Sequence, residues 1–250
     1  AEEKSDEAVE TSEDTAEENP FSGKTVKVGC SATFVPFESI EMAADGSKTY
    51  VGMNIDIVKA VVEKTGGQVE CVDMPFTSLM AAIQAGQIDF CSGGMAPTAE
   101  REKTLDFSEI FFYPRNAIVY RAEDNYPDLD SLKGKKIAYV FGTNYQQVAE
   151  SVEGAETVGI QGSPACIEEV KSKRADACIV DGAGATEFLK NNEGLKLSLM
   201  DKVDDDCFAI GFPKESPYYE TFNNTLKEMM ENGELDDIIA SHLSEQFILD

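Results

Sequence analysis

The sequence predicts an α/β protein built as two lobes joined by two extended crossings, and three observations carry that prediction. Strand-like and helix-like runs alternate from Phe21 onward, which implies mainly parallel strands with helices packed on their faces. The alternation runs to about residue 113 and restarts at Lys135. Two extended runs, NAIVYR (116–121) and CFAIGF (207–212), flank the second unit, and two terminal helices then return to the first. The lobe boundaries that follow are 21–113 with 208–250 for the first lobe and 114–207 for the second.

The elements follow in order. Lys24–Cys30 (KTVKVGC) is a strand. Met53–Thr65 sets Ile55, Val58 and Val62 on one helical face, and Gly66-Gly67 end it. Val69–Met74 is a strand, Thr77–Ala85 a helix capped by Thr77 or Ser78, and Ile88–Cys91 a further strand. Pro97-Thr98 open a helix with Arg101 one turn inside. In the second unit Lys135–Phe141 is a strand, and a helix follows through Val152. Glu156–Ile160 is a strand. Ser163 and Pro164 start a helix as N-cap and first residue, running to about Arg174. Ala177–Val180 is a strand and Ala183–Asn191 a helix. Ser216–Asn232 and Glu234–Leu243, parted by Gly233, close the chain.

The formal charge of −26 is unevenly placed. Residues 1–20 are rich in acids against the single Lys4 and have almost nothing to bury, so this segment reads as a disordered, self-repelling tether. Nucleic acid is excluded as a partner, because phosphate binding needs clustered Lys and Arg. No apolar run is long enough to span a membrane, and a start on Ala1 fits a processed chain. The six cysteines (Cys30, Cys71, Cys91, Cys166, Cys178, Cys207) lack CxxC spacing, which argues against zinc sites and thioredoxin-like chemistry. Mostly buried free thiols are expected, although sequence does not choose among the possible pairings. His242, the one histidine, falls in the terminal helix, where a surface or satisfied role is expected rather than catalysis.

Ligands of open α/β sheets bind beyond the carboxyl ends of the strands. In a two-lobe arrangement the loops after those ends face one another: Ser31–Phe37, Pro75–Ser78, Ser92–Thr98, Gly142–Asn144 and Asp181–Gly184. Gly93, Gly94 and Ala96 let backbone groups approach a ligand closely. The helix opened by Pro97-Thr98 favours an anion, and Arg101 offers a fork of donors suited to a carboxylate. Asp181, from the other lobe, suits an ammonium. Arginine on one wall and aspartate on the other match the two charges of an α-amino acid. Phe34 and Phe76 are placed to sandwich a side chain. Each residue alone has a plainer alternative: core packing for the phenylalanines, a solvated surface for Arg101, and the N-cap of the 183–191 helix for Asp181.

Six stretches carry a family resemblance. They are ATFVPFE (32–38), YVGMNIDIVKAV (50–61), PFTSLMAAIQAGQIDFCSGGMAPTAEREKTLDFSEIFF (75–112), LKGKKIAYVFGTN (132–144), ADACIVDG (175–182) and FAIGFPKES (208–216). In that order they resemble the extracytoplasmic solute-binding proteins of the polar amino-acid family, family 3, that serve ABC importers. The resemblance implies a type II periplasmic-binding-protein clamshell that binds a free L-amino acid and delivers it to a membrane permease. It implies Arg101 on the α-carboxylate, helped by Gly94, Ala96 and the Thr143-Asn144 loop. Asp181 would take the α-ammonium and Phe34 and Phe76 the side chain, with Ser31, Met95 and Val140 beside the same pocket. It also implies a monomer outside the cytoplasm, lipid-anchored through a cysteine upstream of this sequence. No catalytic residue, metal or cofactor is expected. Two departures matter. Ala96 stands where many members carry Ser or Thr, and Ser31 where members for basic ligands and glutamine often carry Asp. The second points to a neutral amino acid of medium size, since a buried side-chain cation wants a partner. The rival readings are a cyclohexadienyl dehydratase-like enzyme on the same scaffold and the sensor domain of a receptor.

Overall fold

The structure, a computed structural model, describes residues 19–201 and 205–248; the predicted acidic tether falls almost wholly outside them. In chain order the elements are β1 (Thr25–Cys30), β2 (Thr33–Phe34), β3 (Glu38–Met42), β4 (Lys48–Val51), α1 (Met53–Lys64), β5 (Gln68–Asp73), α2 (Leu79–Gln84), β6 (Phe90–Met95) and β7 (Leu105–Phe107). They continue with β8 (Asn116–Arg121), β9 (Lys136–Val140), α3 (Tyr145–Glu150), β10 (Glu156–Ile160), α4 (Ser163–Lys171), β11 (Ala177–Asp181), α5 (Gly182–Leu189) and β12 (Leu195–Leu199). The last are β13 (Ala209–Pro213), α6 (Tyr219–Asn232) and α7 (Glu234–His242).

Two five-stranded sheets organise the chain, in the orders β5-β1-β6-β13-β7 and β10-β9-β11-β8-β12. Each holds a parallel trio made by βαβ connections, as the alternation predicts. The remaining strands run antiparallel. β13 pairs antiparallel with β6 and β7, and β8 with β11 and β12. The reason is topological: β8 and β13 are where the chain enters one sheet from the other, so neither is preceded by a crossover helix of its own sheet. The two crossings also pair with each other. Phe208 N–H donates to Phe112 O at 2.8 Å, and Phe111 N–H to Phe208 O at 3.0 Å.

Each sheet has its own core. Against the first pack α1, α6 and α7, burying Ile57, Val61, Phe222, Leu226 and Leu235 around Phe90 and Phe212. Phe90 meets Phe212 at 4.9 Å and Phe222 at 5.4 Å between centroids, the tilted and edge-on contacts that aromatic rings favour. α2 covers the opposite face through Leu79 and Ile83. The second core gathers Ile118, Ile137, Ile167, Val170 and Ile179. Among the described residues no disulfide joins the six cysteines, five of which are buried and Cys71 half-buried. His242 pairs with Asp56 of α1 at 2.8 Å. Among the described residues no helix is long and apolar enough to cross a membrane.

Local differences from the predicted elements have physical causes. A small antiparallel sheet, β2-β3-β4, fills the stretch between β1 and α1. The α4 helix is preceded by Gly162 at φ 81°, so Ser163 lies inside it and is not its N-cap. Pro97-Thr98 open no α-helix. Arg101–Lys103 make one 3-10 turn, held by the Thr98 hydroxyl accepting from Arg101 N–H at 3.3 Å. The chain is then drawn into β7 beside β13, which leaves no room for a second turn.

Candidate ligand-binding cleft

A cavity of about 360 Å³ opens between the carboxyl ends of the two sheets. It is lined from the first side by Ser31, Phe34, Phe76, Gly94, Ala96 and Arg101, and from the second by Val140, Thr143, Asn144 and Tyr145. The two sides are in contact around it. Arg101 Nη2–H donates to Gly142 O at 3.0 Å, bridging the sheets. A Cβ on Gly184 would lie 2.3 Å from Val35 O, so the two backbones meet where only glycine fits.

Arg101 is fixed on three sides. Nη1–H donates to Ala96 O at 2.8 Å, Nη2–H to Gly142 O, and the guanidinium lies 5.6 Å from the Phe76 ring centre. Ala96 therefore contributes a carbonyl that orients the arginine, a role that needs no side-chain hydroxyl. Burial pulls the Arg101 pKa down from the ordinary guanidinium value, while Asp206 favours the charged form. Gly94 bends at φ 51°, which brings its backbone to the cavity edge; a Cβ there would meet the Phe34 ring at 3.2 Å. Phe34 in turn rests on Phe37 at 4.7 Å and Phe208 at 5.7 Å.

On the second side the loop after β9 is tied down by Thr143, whose hydroxyl donates to Val140 O at 2.6 Å. Asn144 Nδ2–H donates to Asp205 O at 2.8 Å, linking this loop to the second crossing. Tyr145 is buried, and desolvation with the neighbouring Asp206 and Asp181 carboxyls pushes its pKa well above the ordinary phenol value.

Two of the predicted residues do not line the cavity. Met95 points into the first unit's core with Leu79 and Leu105, because alternation along β6 turns it away from the cleft. Asp181 sits behind the wall. Its Oδ1 accepts from Gly184 N–H at 2.7 Å and caps α5, and the residue is 2% exposed. Its Oδ2 is buried without a partner, as is Oδ1 of Asn116, the residue opposite it in the β8–β11 pair. A buried acceptor left unsatisfied costs about 1–3 kcal/mol. In place of Asp181 the cavity wall carries Asp206, from the second crossing, and Asp73, from the end of β5. Asp206 is 7% exposed and accepts from Asn116 Nδ2–H. Asp73 Oδ1 accepts from Ala32 N–H at 2.9 Å, so its carboxylate lies against the Ser31 loop.

Asp73 had a readable signal, since it ends a parallel strand as Ser31 follows one. Asp206 had none: it is one of three consecutive aspartates, and only the crossing's course turns it inward. Below the Ser31 loop lies Glu38, fully buried. Its carboxylate accepts from Ser31 N–H at 2.6 Å, Asn54 Nδ2–H at 3.1 Å and the Ser92 hydroxyl at 3.2 Å. Desolvation outweighs these donors and raises its pKa to about 7. Among the described residues no group of three or more His, Cys, Asp or Glu is placed to hold a metal.

The fold recurs in solved proteins. One crystal structure, of the substrate binding protein of an amino acid ABC transporter, superposes with TM-score 0.79 at 30% identity, covering 88% of this chain and 99% of that one. An ancestral arginine-binding protein bound to arginine gives TM-score 0.78 at 32% identity, over 88% and 98% of the two chains. The arginine-binding extracellular protein ArtP of Bacillus subtilis (strain 168) is 32% identical over 220 residues, 86% of this chain and 84% of that protein. Residues 26–245 match the sequence profile of the bacterial extracellular solute-binding proteins, family 3, and the chain belongs to that family.

Proposed function

We propose that the chain binds a basic L-amino acid of the arginine class between its two sheets and presents it to an ABC importer. The lobes would be 21–113 with 208–250 and 114–207, moving about the paired crossings. The observation that carries the reading is the set of charges on one wall system: Arg101, Asp206 and Asp73 all line a single 360 Å³ cavity. A zwitterion uses Arg101 for its carboxylate and an acid for its ammonium. That leaves one acid over, Asp73, which is exposed at the cavity rim and would lose its water when a ligand fills the cleft. A desolvated charge without a partner is costly. A side-chain cation balances it.

Ser31 in place of an acid points, taken alone, to a neutral ligand. Asp73, held against the same loop through Ala32 N–H, supplies the missing carboxylate from the neighbouring strand. The named relatives support this, since two of them are arginine-binding proteins. Phe34 and Phe76 would flank the aliphatic part of such a side chain. Gly94 and Thr143 would complete the carboxylate site from their backbones, and closure would bring both sides onto the ligand together.

The test is calorimetric titration with L-arginine, L-lysine, L-histidine, L-glutamine and L-leucine. Tightest binding of a cationic amino acid is expected, near the micromolar range that corresponds to about −8 kcal/mol. L-glutamine or L-leucine binding tighter than L-arginine restores the neutral reading. No heat with any of the five overturns amino-acid binding here.

A further inference from the structure

Behind the inner end of the cavity three polar side chains meet, and acceptors outnumber donors among them. Asp206 faces the cavity and takes the Nδ2–H of Asn116. Asn116 opens β8 directly opposite Asp181, the last residue of β11. Asp181 spends Oδ1 on Gly184 N–H, while its Oδ2 and the Oδ1 of Asn116 are buried without partners. All three residues are more than nine-tenths buried, so water does not reach them freely. Adjacent orphan acceptors of this kind mark a place where a donor belongs.

We propose that Asp206, Asp181 and Asn116 work as one acceptor cluster that holds a single proton in the free protein and exchanges it for the ligand's α-ammonium, with Asp206 in direct contact. The exchange balances simply. The O–H bond of one carboxyl breaks, its proton passes to solvent, and the ammonium keeps all three of its own. The proposal rests on the reading that an amino acid occupies the cavity.

The surroundings favour a shared proton. Asp181 is raised to about 7 chiefly by burial, opposed by the backbone N–H groups at the start of α5 and helped by Asp206. Asp206 is raised to about 6 by burial, opposed by the Asn116 donor and by Arg101. Among the described residues few charged or titratable groups surround the cluster. Tyr145 faces it from α3 and stays a neutral phenol. Cys207 and Asp205 flank Asp206 on the crossing, and burial keeps Cys207 a thiol. Arg115, next to Asn116, turns outward and donates to Met200 O and Gln246 O. Among the described residues Arg101 is the cation acting on Asp206 from the cavity side, and the ligand's carboxylate would offset it.

The experiment is titration of the full chain with L-arginine at pH 6.5 in buffers of different ionisation enthalpy. L-Arginine has no group titrating between pH 5 and 8, so a buffer-dependent heat reports a proton leaving the protein. About one proton released per ligand is expected at pH 6.5, close to none at pH 8.5. The affinity should rise by up to tenfold per pH unit between 5 and 6.5 and level off above 7.5. Asp181→Asn, whose amide oxygen can still cap α5, should release less than half a proton. Glu38→Gln should release as much as the parent chain. Binding heats independent of buffer at pH 6.5 overturn the proposal, as does release that persists in Asp181→Asn and vanishes in Glu38→Gln. Absence of any amino-acid binding would instead overturn the function proposed above.

Discussion

Gly184→Ala separates closure from stability. Gly184 sits in the first turn of α5, where alanine is a better helix former by about 1 kcal/mol, so the folded units should not suffer. The added methyl would nevertheless stand 2.3 Å from Val35 O on the opposite side of the cleft. An ordinary carbon–oxygen contact needs about 3.3 Å, so the two sides must part by roughly 1 Å. The same opening stretches the Arg101 Nη2···Gly142 O bond from 3.0 Å to beyond hydrogen-bond range. A bond to a charged group is worth about 1.5–3 kcal/mol, and ligand contacts from the second side weaken with it. The expected loss is about 2–4 kcal/mol of binding, a roughly 30- to 1,000-fold rise in Kd for L-arginine. Calorimetric titration gives the affinity, and differential scanning calorimetry of the free protein should show Tm unchanged or slightly raised. Affinity within twofold of the parent chain would refute the argument. So would an affinity loss matched by an equal loss of unfolding free energy.

Three further outcomes follow from the same geometry. Arg101→Ala should reduce L-arginine affinity by at least 100-fold while Tm shifts by no more than a few degrees; calorimetry and thermal unfolding check the two halves. Asp73→Asn should weaken L-arginine about tenfold or more, from loss of roughly 1.5–3 kcal/mol in a charge-assisted bond, and leave L-glutamine nearly unaffected. Equal losses for both amino acids would remove Asp73 from side-chain recognition. Glu38 should make the free protein less stable as pH rises. Its folded pKa is about 7 against an ordinary 4.5, so the folded chain holds a proton that the unfolded chain gives up. That contribution is complete below about 4.5 and lost as pH climbs through 7, on the order of 3 kcal/mol in total. Urea unfolding of Glu38→Gln at pH 5 and pH 8 should show the difference reduced by about 2.5 kcal/mol, the part of the total that falls within that window.

The parallel trios were readable because inner strands such as β9 and β11 are buried on both faces and the flanking helices carry apolar stripes, patterns that survive in a single sequence. The short strands were less so. Leu105–Phe107 is three residues long, and its strand character comes from lying beside β13 rather than from any local preference. The helix expected after Pro97 has a suitable opening residue and an arginine one turn later, yet tertiary pairing pulls the chain straight after one turn. The same limit governs the cleft. Arg101 stood out because an arginine behind small residues is a local pattern. Asp206 is chemically indistinguishable from Asp205, and burial alone separates them. Asp181 had two readings in the sequence, ammonium partner and helix cap, and its cap to Gly184 N–H is the one visible in the geometry. Its partnerless second oxygen is a property of packing that no sequence pattern records.

The location of the acceptor cluster bears on how binding and closure are coupled. Asn116 begins the strand that follows the first crossing and Asp206 lies on the second, and these crossings are hydrogen-bonded to each other through Phe111, Phe112 and Phe208. Points on a hinge move least when lobes rotate, so a site built there keeps its geometry in open and closed forms alike. The Arg101–Gly142 and Gly184–Val35 contacts are different, because they span the cleft and would part when it opens. An amino acid arriving in an open cleft would then meet its ammonium site ready-made and its carboxylate site half-built, with Arg101 waiting for the second wall. On the proposed reading closure would add contacts only for a ligand whose ammonium and carboxylate are one carbon apart, which is how the arrangement would select α-amino acids over simple amines. Cadaverine and agmatine test this directly: each carries the cationic end of a basic amino acid without the carboxylate. Both should bind at least 100-fold more weakly than L-arginine and leave the Gly184→Ala penalty close to zero, since neither draws on the closed state. A Gly184→Ala penalty for agmatine as large as for L-arginine would show that closure responds to the side chain and not to the α-carboxylate.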